Sequence, residues 1–411
     1  MKNTQTSLAI DVSHILAWQG RLTGIERVEH NIIKHYYGQN TARFVTWDPK
    51  ICNFIVLSNK TVEDLVLLRN SPDNSALVSS NPIKKVFVRV YKLVKKIRYA
   101  KSENVTYIPA PNESFLVLAG LWDDNKYIAG LKALKSNDIK IVHVVYDMIP
   151  IVQPQYVVEF LPPVFEAYMT AVLPNCAALL AISDSTARDT EQVLSSRNLN
   201  VPPIMSFRLG DDLPETGAAH KPQNSEDDFY LSVSTIESRK NHTLLYYAYK
   251  LAAEKGIVLP KTIIVGKRGW HTEDFQYVVE RDPTVNSKIV IMDSVDDDEL
   301  CWLYKNCQAV VFPSFYEGWG LSVAEGLYYG KVVFSSNTSS LQEIGGSLVD
   351  YFSPNSPDEL LELMRSYLDN SHKQATRQAE IRATYKTASW VESAQEFEAK
   401  LISLLKNKQI K

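Results

Sequence analysis

Short apolar runs alternate along this chain with longer segments whose apolar positions recur every three or four residues. This is the pattern of a parallel β-sheet covered by helices on both faces, and it occurs twice. In the first half it predicts strands over Leu8–Ser13, Phe115–Ala119, Ile139–Asp147 and Leu179–Ser183, with helices near Gly24–Tyr37, Tyr127–Leu134 and Asp184–Leu194. In the second half it predicts strands near Phe229–Val233, Thr262–Val265, Lys288–Met292, Ala309–Pro313 and Val332–Ser335, with helices starting near Asn241, Asp297 and Leu321. Residues 50–106 fit the alternation poorly and read as an insertion. Periodicity stops in Leu213–Asp228 (LPETGAAHKPQNSEDD), which reads as a linker. The expectation is therefore an α/β protein with domains over 1–212 and 229–390. A final helical segment, 391–411 with its periodic part at Val391–Leu405, is expected to return to the first domain.

Composition narrows the class. At 411 residues, 45% hydrophobic and 22% charged, the chain looks like a folded, soluble protein of two domains. The start, MKNTQTSLAID, resembles no signal sequence, and no apolar run reaches membrane-spanning length, so a cytoplasmic location is expected. Cys52, Cys176, Cys301 and Cys307 show no metal-binding spacing and read as reduced core residues. Residues 1–212 carry 23 Lys and Arg against 20 Asp and Glu, while the remainder carries 21 against 27. The basic half is the one suited to an anionic partner.

The most informative stretch is Pro313–Gly330, PSFYEGWGLSVAEGLYYG. There a strand ends, a Gly-x-Gly loop follows and a helix begins, which is where open α/β sheets bind ligands. Gly318 and Gly320 permit a tight turn and leave helix-terminal amides for phosphate or sugar oxygens. Glu317 is a suitable acceptor for sugar hydroxyls. Upstream, STIESRKN (Ser234–Asn241) places Arg239 and Lys240 at a carboxyl edge of the sheet, where adjacent cations suit a diphosphate. In the first half, GRLTGIER (Gly20–Arg27) leads from a strand into a helix with Thr23 as a possible cap. Gly24 then offers an amide, and Arg27 a positive charge one turn into the helix. VVYDMIP (Val144–Pro150) puts Asp147 at a strand end, toward the interdomain cleft, with His143 facing the core or the sheet's other side.

The two glutamates of Pro313–Gly330, together with SSNTSSLQEIGG (Ser335–Gly346), resemble the retaining glycosyltransferases of family four. That resemblance implies the GT-B fold of two facing Rossmann-like domains. It also implies a sugar contact for Glu317, a ribose contact for Glu325, and sugar or phosphate contacts for the amides of Gly318, Trp319, Gly320 and Leu321. STIESRKN is similar to the family's phosphate-binding motif, with Lys240 on its lysine. Thr235 stands where an earlier arginine is usual, so the resemblance passes that work to Arg239. T-G-I-x-R-V matches a subgroup's glycine-rich loop at Gly24 and Arg27. Tyr146 replaces the histidine that many relatives have before Asp147, which leaves Asp147 as the polar candidate. Gly266 of GKRGW and Val295, each after a strand, fall where the family encloses base and ribose.

The implied activity is metal-independent retaining transfer of a hexose, with mannose from GDP-mannose as the best match, to an oligosaccharide or lipid-linked acceptor in surface-polysaccharide synthesis such as that of O-antigen. No cofactor and no nucleic acid are implied. Asp296–Asp298 is not expected to bind metal, because Asp296 and Glu299 fit a helix capping box. Two other readings compete: an NAD(P)-dependent oxidoreductase, against which Val323 occupies the third small position of a dinucleotide fingerprint, and a non-catalytic saccharide-binding subunit on the same fold. Last, Lys84–Lys101 (KKVFVRVYKLVKKIRYAK) holds eight basic residues and no acid. Wound as a helix it separates basic and apolar faces, which fits an anionic membrane surface and so a peripheral location on the inner face of the cell membrane. The same pattern fits an amphipathic helix packed on the first domain, or a strand through Val86, Val88 and Val90.

Overall fold

A computed structural model describes residues 7–18, 22–67, 105–213, 219–223, 228–293, 295–368 and 370–406. The first domain runs through β1 (Leu8–Asp11), α1 (Ser13–Ala17), α2 (Ile25–Gln39), β2 (Ala42–Asp48), β3 (Asn53–Val56), α3 (Asn59–Val66) and β4 (Val105–Thr106). It continues with β5 (Ser114–Val117), α4 (Asn125–Ser136), β6 (Lys140–Val145), α5 (Ile149–Val152), α6 (Leu161–Val172), β7 (Ala178–Ala181), α7 (Asp184–Ser196) and β8 (Ile204–Ser206). Its sheet has the order β4-β3-β2-β1-β5-β6-β7-β8. The sheet is parallel from β2 to β8, and β3 and β4 add an antiparallel edge. Strands β1, β5 and β7 are buried along their whole length, which explains why they read as apolar runs rather than alternating ones.

The second domain runs through β9 (Phe229–Val233), α8 (His242–Glu254), β10 (Lys261–Val265), α9 (Glu273–Arg281), β11 (Ile289–Met292), α10 (Asp297–Asn306) and β12 (Ala309–Phe312). It continues with α11 (Leu321–Tyr328), β13 (Val332–Ser336), α12 (Leu341–Gly345), β14 (Asp350–Phe352), α13 (Pro357–Tyr367) and α14 (Ser371–Thr384). The order is β11-β10-β9-β12-β13-β14, parallel throughout. In each sheet the first strand lies in the middle, β1 between β2 and β5 and β9 between β10 and β12, so the chain reverses direction across the sheet there. A crevice opens at the carboxyl ends of strands at such a switch point. The connection after β1 leads through Gly24 to Arg27 at the start of α2, and the one after β9 carries Arg239 with Lys240, so topology puts both basic motifs at a crevice.

Helix α15 (Trp390–Lys406) returns to the first domain as expected. Phe397 meets Phe207 edge to face at 5.0 Å, Ser393 Oγ donates to the Arg208 carbonyl at 2.7 Å, and Glu398 Oε2 lies 2.8 Å from His35 Nε2. The crossing is held by buried Asp211, whose Oδ2 accepts from Arg208, the Tyr385 hydroxyl and the Ala388 amide.

Several expectations need correction. Thr23 does not cap α2; Gly24 holds the N-cap position at φ 51°, a left-handed backbone that favours glycine. The insertion contributes β3, α3 and β4, and Cys52 is exposed in the turn before β3 rather than in the core. All four cysteines are free. No helix among the described residues is long and apolar enough to cross a membrane. Residues 84–101 lie outside the described residues.

His143 is buried, as a core position on β6 predicts. Its Nε2 lies 2.8 Å from the Tyr168 hydroxyl, and burial pushes the imidazole down to about 4. The unfolded residue protonates near 6.5. Its depressed value therefore contributes stability that is complete above about pH 6.5 and is lost as pH falls toward 4, about 3 kcal/mol in all. Raised carboxyls such as Glu26 and Asp211 act with the opposite sign, so the useful readout is a difference between proteins. Denaturant titrations from pH 7 to pH 4 should show wild type losing about 3 kcal/mol relative to His143→Gln. A constant difference would show that His143 does not stay neutral in the fold.

Candidate functional site

The loop between β12 and α11 is shaped by hydroxyls behind it. Ser340 Oγ donates to the carbonyls of Glu317 at 3.0 Å and Trp319 at 2.5 Å, and Thr186 Oγ1 of the first domain donates to the Gly318 carbonyl at 3.2 Å. In a trans peptide the N–H points opposite to the C=O, so the amides of Gly318, Trp319 and Gly320 are turned away from these hydroxyls. A Cβ on Gly318 would lie 2.2 Å from the Tyr146 carbonyl, and one on Gly320, at φ 133°, 2.5 Å from Leu341. Glycine at these positions lets the two domains touch and the helix start. Leu321 is the first residue of α11, and the Trp319 indole Nε1 is buried without a partner among the described residues.

Glu317 is buried at the mouth of this loop. Its Oε1 lies 2.6 Å from Lys240 Nζ and from Ser314 Oγ, and its Oε2 lies 2.8 Å from an Arg239 nitrogen. Burial alone would raise its pKa, but Arg239 and Lys240 hold the carboxyl down at about 2. Arg239 also reaches Glu237 Oε1 and the Tyr316 carbonyl, both at 2.6 Å. Its pKa is raised, with Glu317, Glu237 and Asp147 together outweighing burial. Lys240 moves the other way: burial, with Arg239 beside it, lowers its pKa despite Glu317. Both cations sit on a 3-10 turn, Ser238–Lys240, that precedes α8, so that helix begins at His242. Asn241 fixes the turn by donating to the carbonyls of Pro313 and Pro354.

Glu325, on α11, is buried. Its Oε1 lies 2.6 Å from an Arg27 nitrogen and its Oε2 2.6 Å from the Tyr304 hydroxyl. Arg27 is thus an interdomain tie from the start of α2. Asp147, half-buried after β6, accepts from the Ile149 amide at 2.9 Å, and a Cβ on Gly318 would lie 3.0 Å from its own Cβ. Burial pushes the Asp147 carboxyl up while Arg239 opposes the shift. Further interdomain contacts surround this centre. Tyr156 stacks on Phe315 at 4.8 Å, the Tyr316 hydroxyl donates to Asp189 at 2.8 Å, and Glu343 accepts from the Asp184 and Ser185 amides at the start of α7.

Glu317, Arg239, Lys240, Asp147, Glu325, Arg27 and the Gly318–Leu321 loop therefore converge where the two sheets' carboxyl edges meet. Gly266 and Val295 lie on the loops after β10 and β11 of the second domain. The Gly266 amide donates to the Met292 carbonyl at 3.0 Å, and a Cβ there would lie 1.9 Å from the Ser234 carbonyl, so glycine permits close contact with the loop after β9. The Val295 side chain is buried. Sequence reasoning missed Ser314 and Tyr304, which hold Glu317 and Glu325, and Thr186, which touches Gly318 across the cleft. Nothing in local spacing marks them.

Among the described residues one trio could hold a metal ion: His220, Asp296 and Glu299. Asp296 and Glu299 form the full capping box of α10, at 2.8 and 3.0 Å, so their carboxylates already have partners. His220 Nε2 stands 3.8 Å from Asp296 and 4.0 Å from Glu299.

A region of the chain is similar to known proteins. Residues 218–387 match the family model described as Glycosyl transferases group 1. That region is similar to group 1 glycosyltransferases, and the whole chain has the GT-B architecture of two parallel-sheet domains. Among curated proteins it is 25% identical over 239 residues to the serotype-specific mannosyltransferase WbdA of Escherichia coli, covering 55% of this chain and 29% of that protein. It is 29% identical over 211 residues to the O-antigen chain mannosyltransferase B of Escherichia coli, covering 49% and 54%. The matched region thus spans less than two thirds of either relative. Among solved structures, Anabaena HepE in complex with UDP superposes with a TM-score of 0.61 at 15% identity, covering 97% of this chain and 100% of that one, which shows a shared fold. The oxidoreductase reading falls with the family match, and Val323 is fully buried inside α11.

Proposed function

We propose that the protein is a metal-independent retaining hexosyltransferase that moves mannose from GDP-mannose to a saccharide or lipid-linked saccharide acceptor. The observation that carries this reading is the buried Glu317 carboxylate between Arg239 and Lys240, beside a glycine loop with turned-out amides and across the cleft from Asp147. A carboxylate next to two cations suits a substrate that joins a hydroxyl-rich ring to a diphosphate. Glu325, one turn into the helix that follows the loop, takes the ribose in this reading, and Arg27 yields at least part of it when a nucleotide enters. The mannosyltransferase relatives supply the choice of sugar.

In the proposed reaction the acceptor oxygen attacks the anomeric carbon on the face from which the diphosphate leaves. The bond from that carbon to the diphosphate oxygen breaks, the new glycosidic bond forms, and the acceptor proton passes to the departing diphosphate. Arg239, Lys240 and the loop amides stabilise the charge that develops on it, the electrostatic part of the catalysis. Cations and amides take the place that a metal holds in other transferases.

A panel of UDP- and GDP-sugars, scored for donor hydrolysis and thermal stabilisation with and without EDTA, tests the proposal. GDP-mannose should give the largest response, unchanged by EDTA. A response that magnesium or manganese alone restores would contradict metal independence, and preference for a UDP-sugar would contradict the donor.

A further inference from the structure

At the edge of the first domain's sheet that faces away from the donor site lies a cavity of about 580 Å³. It is bounded by the last turn of α2, the amino end of β2 and the start of α3. Ala42 of β2 pairs there with Leu8 at the amino end of β1, whereas the donor cleft opens at the carboxyl ends. Arg27 and Tyr37 lie on the same helix, roughly 15 Å apart along its axis, so the cavity and the cleft are separate places. Its volume falls within the range of about 300–1,000 Å³ usual for small-molecule sites.

Part of the wall is apolar, with Phe44, Leu57 and Val62 buried. The polar part is unpaired: among the described residues the Tyr37 hydroxyl and the side-chain amides of Asn40 and Asn59 make no hydrogen bond. Arg43 alone of the described lining residues is charged, and it is committed elsewhere. Its Nε donates to Glu113 Oε1 at 2.9 Å, and a terminal nitrogen pairs with Glu113 Oε2 and donates to the Ile108 carbonyl at 3.1 Å. At the start of α3, Ser58 Oγ accepts from the Thr61 amide at 3.2 Å, which removes a donor that an anion would use. Gly38 lines the cavity from within α2, and a Cβ there would meet nothing within 4 Å. Glycine weakens a helix relative to alanine, and no close approach requires it at this position. Its missing side chain leaves the cavity open.

An apolar wall, a phenol, two amides and no uncompensated charge suit a neutral ligand that carries both C–H faces and hydroxyls. Each amide offers donors and an acceptor, and a sugar hydroxyl can answer either. A phosphate would meet only a guanidinium that already holds a carboxylate, and a lipid chain would leave the amides and the phenol without partners. We propose that this cavity binds a neutral oligosaccharide, as a second glycan site that holds a distant stretch of the chain being extended, apart from the reaction centre. The assignment of a glycan rests on the glycosyltransferase reading above.

The test uses the full chain, with linear α-mannan as the probe in affinity electrophoresis, which needs no turnover. Mannan in the gel should retard wild type. Gly38→Trp, which fills the cavity, should weaken the Kd about tenfold or more, while Gly38→Ala should behave as wild type. Asn40→Gly keeps the left-handed backbone at φ 53° and removes the amide, so it should weaken the Kd about threefold or more. In transfer assays Gly38→Trp should raise the KM for mannan by a similar factor, while the KM for α-mannobiose and the calorimetric Kd for GDP stay within about twofold. A merely structural role would move all three values together. Wild type that is not retarded, retardation unchanged in Gly38→Trp, or KM values for mannan and mannobiose that rise in step overturn the site and leave the donor reading standing. Retardation that depends on Gly38 in a protein that binds no GDP sustains the site and overturns the transferase reading.

Discussion

Glu317→Gln should lower sugar transfer about 100-fold or more, the loss expected when a charged contact at a reaction centre worth about 2–4 kcal/mol is removed. The glutamine keeps the volume of the side chain and can still accept from Ser314 Oγ, 2.6 Å away in wild type. What it removes is the negative charge between Lys240 and Arg239. Alanine is a poorer test for a reason the sequence does not show. It would break the buried Lys240 pair and leave Lys240 Nζ and Ser314 Oγ with no acceptor in the space it vacates, and breaking a buried pair costs about 3–5 kcal/mol. Glu317→Ala should therefore lose stability as well as activity, whereas the glutamine carbonyl still offers Lys240 and Ser314 an acceptor; Glu237 remains a partner for Arg239 in both. Steady-state rates together with thermal melting separate the two effects. Turnover near wild type in a folded Glu317→Gln protein would remove Glu317 from the reaction.

The parts of this molecule that were legible in the sequence are those set by local pattern. Strands β9 and β12 and helices α10 and α11 are buried or amphipathic runs bounded by clear signals, and they start where the periodicity starts. Capping of α10 by Asp296 and Glu299 was readable because both partners lie within one turn. Strands β2 and β3 were not, because Arg43 and Asn53 interrupt their apolar runs and β3 pairs antiparallel at the sheet edge. Pairing within the site was equally hidden. Lys240 and Glu317 are 77 residues apart, and Arg27 and Glu325 are 298 apart. Each of these residues stood out by its position at a strand end or helix start. That these carboxylates already hold these cations follows only from the way the sheet edges meet.

The central claim is that the cleft between the two sheets takes a nucleoside diphosphate, with Lys240 as one of its cations. Lys240 suits this test because Arg239 remains to neutralise Glu317 when it is removed, so the fold should survive. A charge-assisted hydrogen bond to a phosphate is worth about 1.5–3 kcal/mol, or about 10- to 150-fold in affinity. Lys240 also carries a burial penalty that lowers its pKa, and a phosphate beside it would relieve part of that penalty, which places the expected effect toward the upper end. Turnover should fall with it, because the same ammonium stabilises the leaving diphosphate. Calorimetric titration of GDP into wild type and Lys240→Ala is the direct measurement: the account predicts saturable binding to wild type and a Kd weakened by about 10- to 150-fold in the variant. Equal affinity in the two proteins would contradict it.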